Sequence, residues 1–269
     1  MKDVLVLVGA PPAPLTPVEI ATRLAFDSGA RLTALLVPRP IEIPSFALHV
    51  AGPSLRDELV RDSLTAVEQL RQQIAPMVAP LRSGFEWIEA DAEGLGRHTH
   101  SADLVVVGRG DNDDPFGPKG LASLIFNSGR PFLVIPPGID PGRQGRRMTI
   151  GWNGSREAAR AVHDALPLLA RAEAVELVIV AEGKPAASEA GYGETVRSHL
   201  ARHGVAASVK VVSNDLACGV DGILLASALE HRSDLLVMGA FGRSRLRELM
   251  GGVTASILHN TTVALLLSH

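Results

Sequence analysis

The chain repeats itself, and an internal repeat constrains architecture before any single residue does. Asp103-Leu-Val-Val-Val-Gly108 is echoed by Asp234-Leu-Leu-Val-Met-Gly239, 131 residues later. Pro131-Phe-Leu-Val-Ile135 is echoed by Val263-Ala-Leu-Leu-Leu267, 132 residues later. The near-equal spacings mean that one β-α-β segment occurs twice at almost the same length. The starts also match: Val4–Val8 runs into Gly9, and Met148–Trp152 runs into Asn153, 144 residues later. The wider spacing there puts extra residues in the middle of the first copy, around Pro40 to Pro53. Pro136-Pro137-Gly138-Ile139-Asp140-Pro141-Gly142 is a cluster of breakers, followed by the basic stretch Arg143 to Arg147. The linker is placed there, which predicts domains over 1–138 and 146–269.

Each copy alternates short apolar runs with longer segments of helical period. In the second copy the predicted strands are Thr149–Trp152, Glu176–Val180, Ser208–Val212, Leu235–Met238 and Val263–Leu267. After Ser155, a good N-cap, Ala158, Val162, Leu166 and Leu169 mark the apolar face of a helix. In the first copy Thr16-Pro17-Val18-Glu19 reads as a capping box, and Leu55, Leu59, Val67, Leu70 and Ile74 mark a second helix. Aromatic residues are 4% of the chain, so the core must be aliphatic. Continuous aliphatic strands alternating with helices predict a parallel sheet covered on both faces. The expected fold is α/β: two tandem Rossmann-like domains of the adenine-nucleotide α-hydrolase type, each a five-stranded, mainly parallel sheet.

The formal charge of −3 argues against a nucleic-acid partner. No segment reaches the roughly 18 apolar residues that a membrane helix needs. Cys218 is the sole cysteine, which excludes an intrachain disulfide and suits a reducing cytoplasm. Asp111 to Asp114 reads as a solvated acidic turn, since it lacks the spacing of a calcium loop. His199 and His203 lie four apart on a predicted helix, with no third metal ligand in the pattern. No Ser–His–Asp or paired-carboxylate arrangement can be read, so no catalytic or metal residue is assigned.

The chemistry-bearing stretch is Gly239-Ala240-Phe241-Gly242, then Arg243 to Met250, then Gly251-Gly252-Val253-Thr254. It begins at the carboxyl end of a predicted strand and ends at the start of a helix predicted over Thr254–His259. Backbone N–H groups can cradle a phosphate at such a place, helped by the positive helix terminus. The pattern is neither the P-loop nor the dinucleotide glycine motif. Arg243, Arg245 and Arg247 fit either phosphate contacts or a solvated loop.

With the repeat, these segments resemble the universal stress protein family, whose fingerprint after the fourth strand is Gly-x2-Gly-x9-Gly-Ser/Thr. The segments that carry the resemblance are Ile150 to Ala159 and Asp234 to Leu267. It implies ATP or AMP binding in the C-terminal domain, with Asn153, Val180, Gly239, Gly242, Gly251, Gly252, Val253 and Thr254 around the nucleotide. It also implies an intramolecular pseudo-dimer through the last strands, with Phe132–Ile135 and Ala264–Leu267 near the contact; further homodimerisation stays open.

Two features depart from the fingerprint. Counting nine residues from Gly242 reaches Gly252 and puts Val253 in the hydroxyl place; aligning Gly251 puts Gly252 there. Asn153 replaces the family's aspartate. In the first copy Asp111 stands where Gly242 does, Lys119-Gly120-Leu121-Ala122 matches Gly251 to Thr254, and Gly9 takes the aspartate position. An acidic run beside a triphosphate repels it, so no ATP is expected in the first copy. Three functions follow: a nucleotide-sensing stress protein, a nucleotide-free interaction module, and an enzyme whose catalytic residues would still have to be found.

Overall fold

The computed structural model describes residues 1–38, 54–112, 114–181, 186–214, 219–242 and 252–269. In the first half the order is β1 (Asp3–Val8), α1 (Thr16–Ser28), β2 (Arg31–Leu36), α2 (Ser54–Val78), β3 (Phe85–Glu89), α3 (Ala92–Ser101), β4 (Leu104–Gly108), α4 (Pro118–Ser128) and β5 (Phe132–Ile135). A short 3-10 turn, Pro141–Arg143, leads into the second half. There β6 (Arg147–Trp152), α5 (Arg156–Leu169), β7 (Ala174–Ala181), α6 (Ala186–Arg202), β8 (Ala207–Ser213), α7 (Gly219–Glu230), β9 (Leu235–Gly239), α8 (Val253–Asn260) and β10 (Ala264–Ser268) repeat that order.

The ten strands form one sheet in the order β3-β2-β1-β4-β5-β10-β9-β6-β7-β8. Each half therefore shows the same doubly wound order. Instead of two separate sheets, the halves share a continuous one. The seam is the pairing of β5 with β10, which is antiparallel (Leu265 opposite Val134, Leu266 opposite Leu133), while the other strand pairs are parallel. Joining the two edge strands covers N–H and C=O groups that would otherwise invite pairing with another chain.

Side chains alternate across the strands as the pleat requires. Val4, Val6 and Val8 pack beneath α1 and α2, and Ile150, Leu177 and Val237 beneath α5 and α6. Leu5, Leu7, Val105 and Val107 face α3 and α4, and Val178, Leu236 and Leu265 face α7 and α8. Such side chains contribute about 1.5–3 kcal/mol each when fully buried, so the sheet is the main source of stability.

Local signals were followed with one exception. Ser155 is the N-cap of α5, its Oγ accepting from the Ala158 N–H at 3.1 Å. The capping box over Thr16–Glu19 does not form. Leu15 is the N-cap residue, without a side-chain cap, and its carbonyl accepts from the Glu19 N–H at 3.0 Å. Leu15 packs against the apolar core, which draws the helix start one residue earlier than the hydroxyl signal suggests. The extra first-half residues Pro40 to Pro53, and Cys218, lie outside the described residues.

Candidate functional site

In a doubly wound sheet, ligands bind beyond the carboxyl ends of the strands where the winding reverses. In the second half that place lies between the adjacent strands β6 and β9. Gly239 ends β9 directly against the first turn of α5. A Cβ at Gly239 would stand 2.5 Å from the Ala158 nitrogen and from the Glu157 carbonyl carbon. Only glycine allows this approach, and it draws the α5 N-terminus against the glycine loop.

Gly242 is exposed, and its Cα faces the same turn. A Cβ there would lie 3.3 Å from Glu157 Oε2 and 3.6 Å from Ser155 Oγ. Ser155, Glu157 and Gly242 thus converge. Asn153 is exposed, and its Oδ1 accepts from the Ser155 N–H at 3.0 Å, an Asx turn that shapes the β6–α5 corner. Val180 is half-buried near the end of β7, opposite Val212 of β8.

Glu157 is a residue that sequence reading passed over. Its side chain is 3% exposed. Burial works to raise its pKa, but the 2.5 Å bond from Arg156 Nε and the Ser155 hydroxyl outweigh it, so the carboxyl sits below its usual range. The N-terminus of α5 adds to that preference for the charged form. An acidic residue in the first turn of a helix that borders a glycine loop was the available signal.

The far side of the loop is built by Phe241 and Thr254. Phe241 has φ of 60° and is 2% exposed; its N–H donates to Thr254 Oγ1 at 3.3 Å. A non-glycine residue in the left-handed region is uncommon, and packing holds it there. The ring meets Phe126 of α4 edge-on at 5.9 Å and His269 at 5.9 Å. His269 stacks on Phe126 at 4.8 Å, and its Nδ1 lies 3.0 Å from the Ala240 carbonyl oxygen. Gly252 is the N-cap of α8 in extended conformation and supplies no side-chain cap; Val253 is the first residue of that helix. Gly251, Arg243, Arg245 and Arg247 lie outside the described residues.

The corresponding edge of the first half is closed. Phe116 is 5% exposed, and its ring would stand 3.8 Å from a Cβ on Gly9. Its backbone N–H donates to Asp114 Oδ1 at 2.8 Å, and its carbonyl accepts from Gly110 at 3.0 Å. Gly110, Asp114 and Phe116 are thus tied together in a turn. Arg109, next to Gly108 at the end of β4, crosses the seam. Its Nη1 donates to the carbonyls of Leu258 (3.0 Å), His259 (2.8 Å) and Thr261 (3.1 Å) at the C-terminal end of α8. Those are the acceptors that a helix end leaves unpaired.

The histidines expected on one helix face do meet. His199 and His203 lie 4.7 Å apart between ring centroids, and burial followed by His203 lowers the pKa of His199. Among the described residues no group of three potential ligands could hold a metal. No described helix is long and apolar enough to cross a membrane.

The fold defines a duplicated, doubly wound α/β protein whose two switch points are built differently. Residues 145–269 match the profile of the universal stress protein family. No curated protein matches in sequence. A universal stress protein from Archaeoglobus fulgidus is similar in fold across both halves, with a TM-score of 0.73, 13% identity, and 98% of this chain and 95% of that one covered. A universal-stress-type protein from Pseudomonas aeruginosa gives a TM-score of 0.60 at 15% identity, over 100% and 93% of the two chains. The cytoplasmic domain of a prokaryotic cation chloride cotransporter gives 0.50 at 11% identity, over 99% and 95%. At such identities the likeness is one of fold alone, and function must be argued from the site.

Proposed function

We propose that the chain is a stress-adaptation protein whose second half takes an adenine nucleotide, ATP or AMP, at the carboxyl edge between β6 and β9. The observation that carries this reading is the exposed Gly242 facing the capped N-terminus of α5, against a first-half edge stopped by Phe116. The N-terminal turns of α5 and α8 would direct N–H groups at phosphate. Gly239, Gly242, Gly251, Gly252, Val253 and Thr254 would line the phosphate side, with Asn153 and Val180 toward the sugar and base. Binding would pass a signal across the seam through Phe241 and Phe126.

A second reading, a nucleotide-free interaction module, has its own support. Glu157 brings a buried negative charge to within 3.3 Å of the Gly242 Cβ position, and the Thr254 hydroxyl is occupied by the Phe241 N–H. No catalytic step is assigned under either reading.

Two measurements separate them. The purified protein is denatured and the supernatant analysed for adenine nucleotide, and thermal unfolding is followed against ATP and AMP. A site in use gives a stability gain of about 2.7 kcal/mol at a hundredfold excess of ligand over its dissociation constant. Absence of both released nucleotide and any shift selects the interaction module.

A further inference from the structure

A cavity of about 280 Å³ opens at the seam, on the side of the sheet away from the glycine loop. Its floor is apolar: Leu104 and Pro131 at the starts of β4 and β5, and Leu266 of β10. Asp103 and Arg130 stand on one rim, and His163 with the Arg160–Asp164 pair of α5 on the other. We propose that this cavity is a docking site for a short peptide turn of the chemistry aliphatic–acidic–Pro-Gly, presented by a partner protein.

The argument rests on the near two-fold relation between the halves. Superimposing the buried faces of α1 (Val18, Ala21, Thr22, Ala25) and α5 (Ala158, Ala161, Val162, Ala165) makes Arg23 the equivalent of His163. The repeat makes Asp234 the equivalent of Asp103. On the Arg23 side the equivalent place is filled by the chain's own linker. Arg23 Nη2 donates to the Gln144 carbonyl at 3.1 Å, and Asp234 accepts from the N–H groups of Gly145 and Arg146 at 2.7 and 3.0 Å. Ile139 packs on the apolar layer below, and Asp140 Oδ1 closes the turn by accepting from Gly142 N–H at 2.8 Å. Ile139-Asp140-Pro141-Gly142 is thus the molecule's own example of what such a site accepts.

The cavity offers two of the same recognition elements: an apolar floor takes the aliphatic residue and His163 takes a carbonyl, while Asp103 already accepts from the Lys2 N–H at 2.5 Å and the Asp3 N–H at 3.2 Å. It also differs in one useful way. Arg130 stands where the linker side has Thr262, and its Nε donates to the His100 carbonyl at 2.8 Å. A guanidinium at that rim selects an acidic residue in the incoming turn. The Pro-Gly pair favours a peptide already bent, which lowers the entropy lost on docking. The proposal stands apart from the nucleotide reading, since no residue is shared between the two places.

The test uses the full chain and a fluorescent synthetic peptide of sequence Gly-Ile-Asp-Pro-Gly-Arg-Gln-Gly, copied from residues 138–145. Saturable anisotropy is expected, with NMR shifts at His163. Arg130→Glu should weaken it about tenfold, the scale of one lost charge-assisted bond, and a peptide with Lys in place of Asp should regain affinity for that variant. His163→Ala, on an exposed position, should also weaken binding if Arg130→Glu fails to fold. No saturation at millimolar peptide, or saturation indifferent to both substitutions, overturns the proposal. So does sulfate that displaces the peptide at equal concentration, which would make the site a simple anion hole.

Discussion

Gly108 and Gly239 end equivalent strands, and the residues that face them, Pro17 and Glu157, hold equivalent places in the first helix of each half. A Cβ on Gly108 would meet Pro17 Cγ at 3.0 Å, whereas one on Gly239 would meet the α5 backbone at 2.5 Å. The same topology thus yields two different edges. In the first half the loop beyond β4 turns back, seats Phe116 beside Gly9, and sends Arg109 across the seam. In the second half α5 is drawn close, and the exposed Gly242 stands beside Ser155 and Glu157. Once a fold is duplicated, only one copy needs to keep an open edge, and the other is free to become support for it. Arg109 is that support: from the first half it braces the helix whose other end borders the proposed nucleotide site.

The largest effect expected from this contrast is on stability. Gly239→Ala forces a backbone shift and should destabilise by about 3 kcal/mol, while Gly108→Ala meets the side chains of Pro17 and Pro14 and should cost about 1 kcal/mol. Urea unfolding of the two variants measures the difference; equal costs would erase the distinction between the edges.

Next comes the brace. Arg109→Ala leaves three helix-terminal carbonyls without their donor and should cost about 2 kcal/mol. Amide exchange in α8 should accelerate more than in α4, its counterpart. Uniform acceleration across both halves would deny Arg109 its one-sided role.

A smaller effect concerns the open edge. Glu157→Gln removes a charge next to the proposed phosphate position and should tighten ATP binding about tenfold, or roughly 1.4 kcal/mol. Calorimetry on the purified variant reads this, and weaker binding would reverse the role given to Glu157.

The finest test lies at the opposite end of the strands, where Asp103 and Asp234 cap the starts of β1 and β6. The Lys2 N–H bond leads the causes that lower the Asp103 pKa, whereas burial leads those that raise Asp234 despite three backbone donors. Asp103 therefore stabilises the fold above the ordinary aspartate range, and that contribution is lost as pH falls through its depressed value. Asp234 behaves oppositely: on acidification the folded state takes up its proton first, and stability rises between the unfolded and folded pKa values. Carboxyl carbon NMR titration should place the Asp234 midpoint above that of Asp103.

Much of the candidate site could be read in advance, because the glycine loop, Asn153 and the Ser155 cap are local patterns. Ser155 needs only its own helix to act as a cap. Glu157, Phe116 and Arg109 were hidden for the opposite reason. Glu157 becomes part of the edge only because Gly239, 82 residues further on, lets α5 approach. Phe116 reads as one more aromatic until β1 brings Gly9 beneath it. Arg109 reads as a loop residue until the seam sets α8 within reach. The failed capping box at Thr16 is the same lesson in small, since a core contact of Leu15 outweighed a local hydroxyl.

By itself, then, the sequence determined the duplication, the strand–helix alternation and the choice of a parallel sheet, because each rests on periodicity and apolar patterning within short windows. Tertiary structure alone decided that β5 and β10 pair antiparallel within one continuous sheet, how each strand edge is finished, and which cation caps which helix. Those outcomes depend on contacts between residues far apart in the chain, and the alternation of apolar residues that builds a strand carries no record of which side chain will stand opposite it.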